Sequence, residues 1–182
     1  MIVFIAGPRA ITKLNSNIEE RLHNIYLNNI KVVVGDAAGV DKAIQEYFCR
    51  LDYSNISVYA TQGKARNNVG NWPVVNVEAN KNLKGFGYYA AKDVKMAEVA
   101  DYGFMIWNGK SKGTLNNIIN LISRNKKTLV YFTPDSGFYC IDKIGQLEKM
   151  LQRCDENTRI IYKNLLKKTE QLSIMEENAD YN

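Results

Sequence analysis

Five short apolar runs, at 2–6, 31–34, 56–60, 102–107 and 128–132, are separated by segments of helical period. Each run is too short for a helix and apolar at nearly every position. That is the mark of a strand buried on both faces. Strands alternating with helices imply a parallel sheet with right-handed crossovers and helices on both sides. The expectation is therefore an α/β, Rossmann-like doubly wound sheet of about five strands, with further helices at the C-terminal end. In such sheets ligands bind beyond the carboxyl ends of the strands, where the strand order reverses.

Three polar turns fall at that edge. The first run ends in Gly7-Pro8-Arg9, where Pro8 has no amide hydrogen to give, so Arg9 is the natural anion contact. The second ends in Gly35-Asp36-Ala37-Ala38-Gly39-Val40-Asp41. Its small residues let a phosphate or ribose approach the backbone, and a carboxylate at a strand end, Asp36 or Asp41, can accept from ribose hydroxyls. The fourth run ends in Trp107-Asn108-Gly109-Lys110-Ser111-Lys112-Gly113-Thr114, and a helix follows, with Thr114 as its expected N-cap. Gly109 and Gly113 permit close approach, and Ser111 and Thr114 add hydroxyls. The turn and first-helix amides are expected to lack internal partners and to sit at the positive end of the helix dipole.

The other segments follow the same logic. Residues 16–28 read as a helix with Ser16 as N-cap and Glu19 at the capping-box position, and His23, the single histidine, lies beside its apolar face. Residues 61–87 form the one long irregular stretch. Trp72 and Phe86 within it, with Tyr88 and Tyr89 behind, fit a lid that stacks on a base or a loop packed on the domain. A helix is expected over 90–100. From 143 to about 175 the pattern is helical and charged, broken near 154–158, with an apolar stripe at Leu147, Met150 and Leu151 that offers a surface for pairing two copies as a homodimer. Residues 176–182 read as a frayed tail. The division expected is 1–140 as the nucleotide-binding domain and 141–182 as a helical extension packed on it.

Composition narrows the function classes. Three widely spaced cysteines, Cys49, Cys140 and Cys154, argue against a disulfide framework or a metal cluster and fit a reducing, cytoplasmic setting. No apolar run approaches the roughly 20 residues of a membrane span, so no membrane partner is expected. The net charge of +5 suits phosphate-bearing ligands, but no basic run occurs, which supports nucleic-acid binding only weakly.

The turns together resemble the SLOG superfamily, which includes the DNA-processing protein DprA/SMF and the "Lonely guy" (LOG) phosphoribohydrolases. The resemblance is carried by Ala6-Gly7-Pro8-Arg9, the Gly35 to Asp41 turn, Ala90-Ala91-Lys92-Asp93 through Met96, Ala100-Asp101 and the Trp107 to Thr114 segment. It is strongest to small stand-alone members. It implies a small nucleotide-like ligand, such as a nucleoside monophosphate, ADP-ribose or an NAD-derived molecule, with no required cofactor. LOG enzymes are similar in using an arginine where Lys92 stands and a glutamate where Asn117 stands. Asn117 can neither carry charge nor move a proton, and Lys92 lacks the bidentate fork. Asp36 stands at a family glycine. A carboxylate role in turnover falls to Asp93, Glu98 or Asp36, with Asp93 best placed beside Lys92. The nucleoside deoxyribosyltransferases share the alanine-glycine-proline opening, but Asn116, Asn117 and Asn120 occupy the region of their nucleophilic glutamate. Three readings result: a nucleotide sensor or binding module, an N-glycosidic hydrolase or transferase, and a nucleic-acid-associated protein like DprA. The expected ligand contacts are Gly7, Arg9, Gly35, Asp36, Gly39, Asp41, Trp107, Gly109, Ser111, Gly113 and Thr114, with Trp72, Trp107 or a lid tyrosine stacking on the base.

Overall fold

The computed structural model describes residues 1–79 and 85–179. Its centre is a sheet ordered β4-β3-β2-β1-β5-β6-β7. The strands are β1 (Ile2–Ala6), β2 (Lys31–Gly35), β3 (Ile56–Thr61), β4 (Val74–Val77), β5 (Tyr102–Trp107), β6 (Thr128–Phe132) and β7 (Gly137–Ile141). Six are parallel and β7 returns antiparallel on β6. The helices are α1 (Ser16–Leu27), α2 (Val40–Arg50), α3 (Phe86–Val99), α4 (Lys112–Ile122), α5 (Ile144–Leu151) and α6 (Glu156–Ala179). The α/β doubly wound expectation holds, and the order reverses between β1 and β5.

Alternate residues of each central strand enter two separate cores. Val3, Ile5, Val32, Val34, Phe104 and Ile106 pack beneath α1 and α2. Phe4, Ala6, Met105 and Trp107 pack with residues of α3, α4, α5 and α6 on the other face. Period two across a sheet covered on both sides explains why these strands read as unbroken apolar runs.

Two strands add to the five expected, both at edges. β4 alternates exposed and half-buried residues, so its sequence lacks a continuous apolar run. It forms because Pro73 O accepts the Val58 amide at 3.0 Å and the pairing with β3 continues through Val77. β7 follows a turn in which Ser136 adopts φ 53°, and it too is only half-buried.

Helix boundaries shift where a polar side chain reaches an amide. α1 is capped by Asn15, not Ser16, through Asn15 Oδ1 and the Ile18 amide at 3.1 Å. Helix α3 begins at Phe86, four residues before its expected start. Leu147, Met150 and Leu151, expected as a stripe for a second copy, are buried in the chain's own core beside Tyr162 and Leu165. The expected tail is helical through Ala179, and 180–182 lie outside the described residues. So do 80–84 of the expected lid. Among the described residues no helix is long and apolar enough to cross a membrane.

Candidate functional site

The reversal between β1 and β5 brings two turns from opposite halves of the chain to one rim. Close backbone packing holds them there. A Cβ on Gly7 would come within 2.7 Å of Val40 Cγ2 and 2.8 Å of Ile106 O, so only a bare Cα lets the first turn lie between α2 and β5. Gly39 has φ 78°, and a Cβ there would sit 2.4 Å from the Arg9 Cα. The second turn is thereby pressed against the first, and Pro8 O accepts the Val40 amide at 3.2 Å.

The turn after β5 is braced by its own side chains. Asn108 Oδ1 accepts the amides of Lys110 (3.1 Å) and Ser111 (2.9 Å). Ser111 Oγ accepts the Thr114 amide (3.3 Å) and the Thr114 hydroxyl (3.0 Å). The N-cap of α4 is therefore Ser111, not Thr114, and the amides of Lys110, Ser111 and Thr114 are engaged inside the protein. The expectation of free turn amides fails for these three; the Lys112 and Gly113 amides, at the positive end of α4, have no acceptor among the described residues. Gly109, at φ 71°, faces the other way: its carbonyl accepts the Thr158 hydroxyl of α6 at 2.8 Å, and a Cβ would meet Phe132.

These turns open onto a cavity of about 520 Å³. Gly7, Arg9, Ser111, Gly113 and Thr114 all line it, as do Asp41, Lys92, Asp93 and Asn117. Phe86 and Tyr89 come from the first turns of α3. Lys112 Nζ lies 4.5 Å from the Phe86 ring centroid, tying α4 to α3 across the mouth.

The floor is a charged cluster. Lys92, 5% exposed, donates to Asp93 Oδ1 at 2.7 Å. Burial alone would pull its pKa down, but the carboxylates of Asp93, Asp41 and Asp36 outweigh that and raise it above the ordinary lysine value. Gly35 makes the room: a Cβ there would come within 2.3 Å of Asp41 Oδ2 and 2.6 Å of Lys92 Nζ. With its amide nitrogen turned toward the acceptors, Asn117 donates to Asp93 Oδ2 and to Gly113 O, each at 3.3 Å. Asp41 is buried and accepts the Ala37 amide at 3.2 Å. Burial pushes its pKa up to about 6, against the opposing pull of Lys92.

Other expected contacts are placed elsewhere. Asp36 has both carboxylate oxygens on the Arg66 guanidinium, at 2.9 and 2.6 Å. Burial would raise its pKa, but the Arg66 hydrogen bonds and the charge of Lys92 hold it below the ordinary carboxylate value. Trp107 is fully buried in the core, its Nε1 donating to Ser111 O at 3.2 Å, and so it shapes the turn from behind. Trp72 is buried in the opposite core, with Nε1 on Tyr53 O at 2.7 Å. Neither tryptophan lines the cavity; the aromatic surfaces there belong to Phe86 and Tyr89. Exposed His23 stacks on Tyr26 within α1, away from the site. Arg66 was not legible in sequence, because it lies in a stretch without period. The one clue was Asp36, since a carboxylate at the end of a buried strand needs a cationic partner.

No family model matches the chain, and no curated protein matches it. Among solved structures, DNA processing protein A from Helicobacter pylori, described for its single-stranded DNA binding mode, is similar with a TM-score of 0.57. The match covers 92% of this chain and 81% of that one at 16% identity. The likeness is one of fold.

Proposed function

We propose that the chain is a SLOG-type protein whose cavity binds a nucleotide or nucleotide-derived ligand, as a sensor or binding module. The observation that carries the reading is that Arg9 and Thr114, from separate turns, line the same cavity at the β1–β5 reversal. A phosphate there would meet the Arg9 guanidinium, the Ser111 and Thr114 hydroxyls and the leading amides of α4. Phe86 and Tyr89 supply the aromatic rings beside which a base would lie, each with a cation already against it. The volume falls within the roughly 300–1,000 Å³ usual for small-molecule sites. Protein groups alone suffice for such a ligand, without a further cofactor.

Binding is favoured over N-glycosidic cleavage by the Asn117 contact. The side chain at the LOG glutamate position is an amide that donates to Asp93, while Lys92 engages the other Asp93 oxygen. The pair holds Asp93 from both sides, which suits a fixed counter-charge better than a mobile nucleophile. The DprA-like reading has the fold likeness behind it, and a single-stranded oligonucleotide is the arm that tests it.

The experiment is a thermal-shift panel of AMP, ADP-ribose, NAD, deoxynucleotides and a single-stranded oligonucleotide, on wild type and on Arg9→Ala. At least one mononucleotide or dinucleotide should raise Tm, and Arg9→Ala should weaken its affinity by about tenfold or more, as for loss of a charged hydrogen-bond donor. Base release measured on any hit separates binding from turnover. A response to the oligonucleotide alone, or an unchanged response in Arg9→Ala, defeats the proposal.

A further inference from the structure

Arg66 reaches the cavity from the segment between β3 and β4, and its geometry is over-determined. Its Nε donates to Asp36 Oδ2 at 2.9 Å, its Nη2 to Oδ1 at 2.6 Å, and its own amide to Oδ2 at 3.1 Å. Asn67 Nδ2 next to it donates to Asp36 O at 2.8 Å, pinning the segment to the end of β2. The guanidinium lies 5.0 Å from the centroid of the Tyr89 ring, and that of Arg9 lies 5.6 Å from the same centroid.

A guanidinium carries five N–H donors in a planar fork. On Arg66 the Nε/Nη2 edge is given to Asp36, whose carboxylate is nearly fully buried. The Nη1 nitrogen has no acceptor among the described residues, and the Arg66 side chain is 39% exposed where it lines the cavity. A carboxylate fixed behind a guanidinium in this way orients it without covering its free edge. One phosphate does not require this arm, since the nucleotide reading already assigns it Arg9, Ser111 and the start of α4, which line the same cavity.

Two guanidiniums that line one cavity and rest against one aromatic ring provide two anion anchors. Resting on the nucleotide reading above, we infer that the ligand carries a second anionic group contacted by Arg66, so that the site takes a nucleoside diphosphate or dinucleotide in preference to a nucleoside monophosphate. Asp36 is then a positioning residue, acting through Arg66. This also removes the repulsion a free Asp36 would exert on a phosphate, because its charge is matched by Arg66.

The test is isothermal titration of ADP and of AMP, at fixed ionic strength, into wild type, Arg66→Gln, Arg66→Lys and Asp36→Asn. Wild type should bind ADP about tenfold or more tightly than AMP, the scale of one added charged hydrogen bond. Arg66→Gln should bring ADP down to the AMP value while AMP stays within about twofold. Arg66→Lys should fall between, since it keeps the charge and loses the fork. Asp36→Asn should weaken ADP selectively, whereas a purely structural role would weaken both ligands alike. Should Arg66→Gln unfold by stranding Asp36, the Asp36→Asn/Arg66→Gln double variant removes both charges and carries the same comparison. Equal wild-type affinities, or equal losses for both ligands, overturn the second anchor and leave the nucleotide reading standing. Binding of neither ligand overturns the second anchor, and with no response to ADP-ribose or NAD it removes the nucleotide reading as well.

Discussion

Replacing Asp41 by Asn should stabilise the protein, and the gain should depend on pH in a defined way. The carboxyl is 6% exposed at the cavity floor, and its pKa is raised from 3.8 to about 6 because burial penalises the charged form. Between those two values the folded state holds a proton that the unfolded state has released. Stability therefore falls as pH rises through this window, and the loss is complete above about pH 6. The step from 3.8 to about 6, at roughly 1.4 kcal/mol per unit, amounts to about 3 kcal/mol. Asn matches the neutral carboxyl in shape, and its oxygen can keep the Ala37 amide bond. The assay is urea unfolding of both proteins across pH. Apart from a constant offset, the difference in unfolding free energy should be near zero at about pH 3.5 and should grow to about 3 kcal/mol by about pH 7. Lys92 stays charged throughout this range, since its pKa is raised, and so it does not distort the comparison. A difference that stays flat across pH would falsify the assignment of a buried, proton-holding Asp41.

Three further outcomes follow from the site and its supports. Gly39→Ala must place a Cβ at φ 78° against the Arg9 backbone, so it should cost about 1–3 kcal/mol by denaturant unfolding and disturb the Arg9 turn. Ser111→Ala removes the cap of α4 and the acceptor of the Thr114 hydroxyl, and should lower stability by about 1 kcal/mol; a variant as stable as wild type would contradict the capping geometry. Leu147→Ala should cost about 2–5 kcal/mol while leaving the sedimentation-derived molecular mass of the folded protein unchanged, because Leu147 packs within the chain.

The sequence by itself determined the sheet and its rim. Central strands buried on both faces must be apolar at nearly every position, so β1, β2, β3, β5 and β6 stand out without tertiary information. Glycines 35 and 39 read as places where a ligand nears the backbone, but tertiary packing sets Asp41 and Lys92 against Gly35 and the Arg9 backbone against Gly39. The resemblance pointed to Lys92, Asp93 and Asn117, and these do lie together on the cavity wall. Edge strands β4 and β7 were hidden because an edge buries too little to impose an apolar run. The roles of the tryptophans could not be told from sequence, since an aromatic side chain near a turn can point outward or into the core; packing turned Trp72 and Trp107 inward and left Phe86 and Tyr89 at the cavity. Arg66 depended wholly on tertiary structure. Its place is fixed by Asp36, thirty residues away, and a hydrogen bond of that sequence separation leaves no local pattern to read.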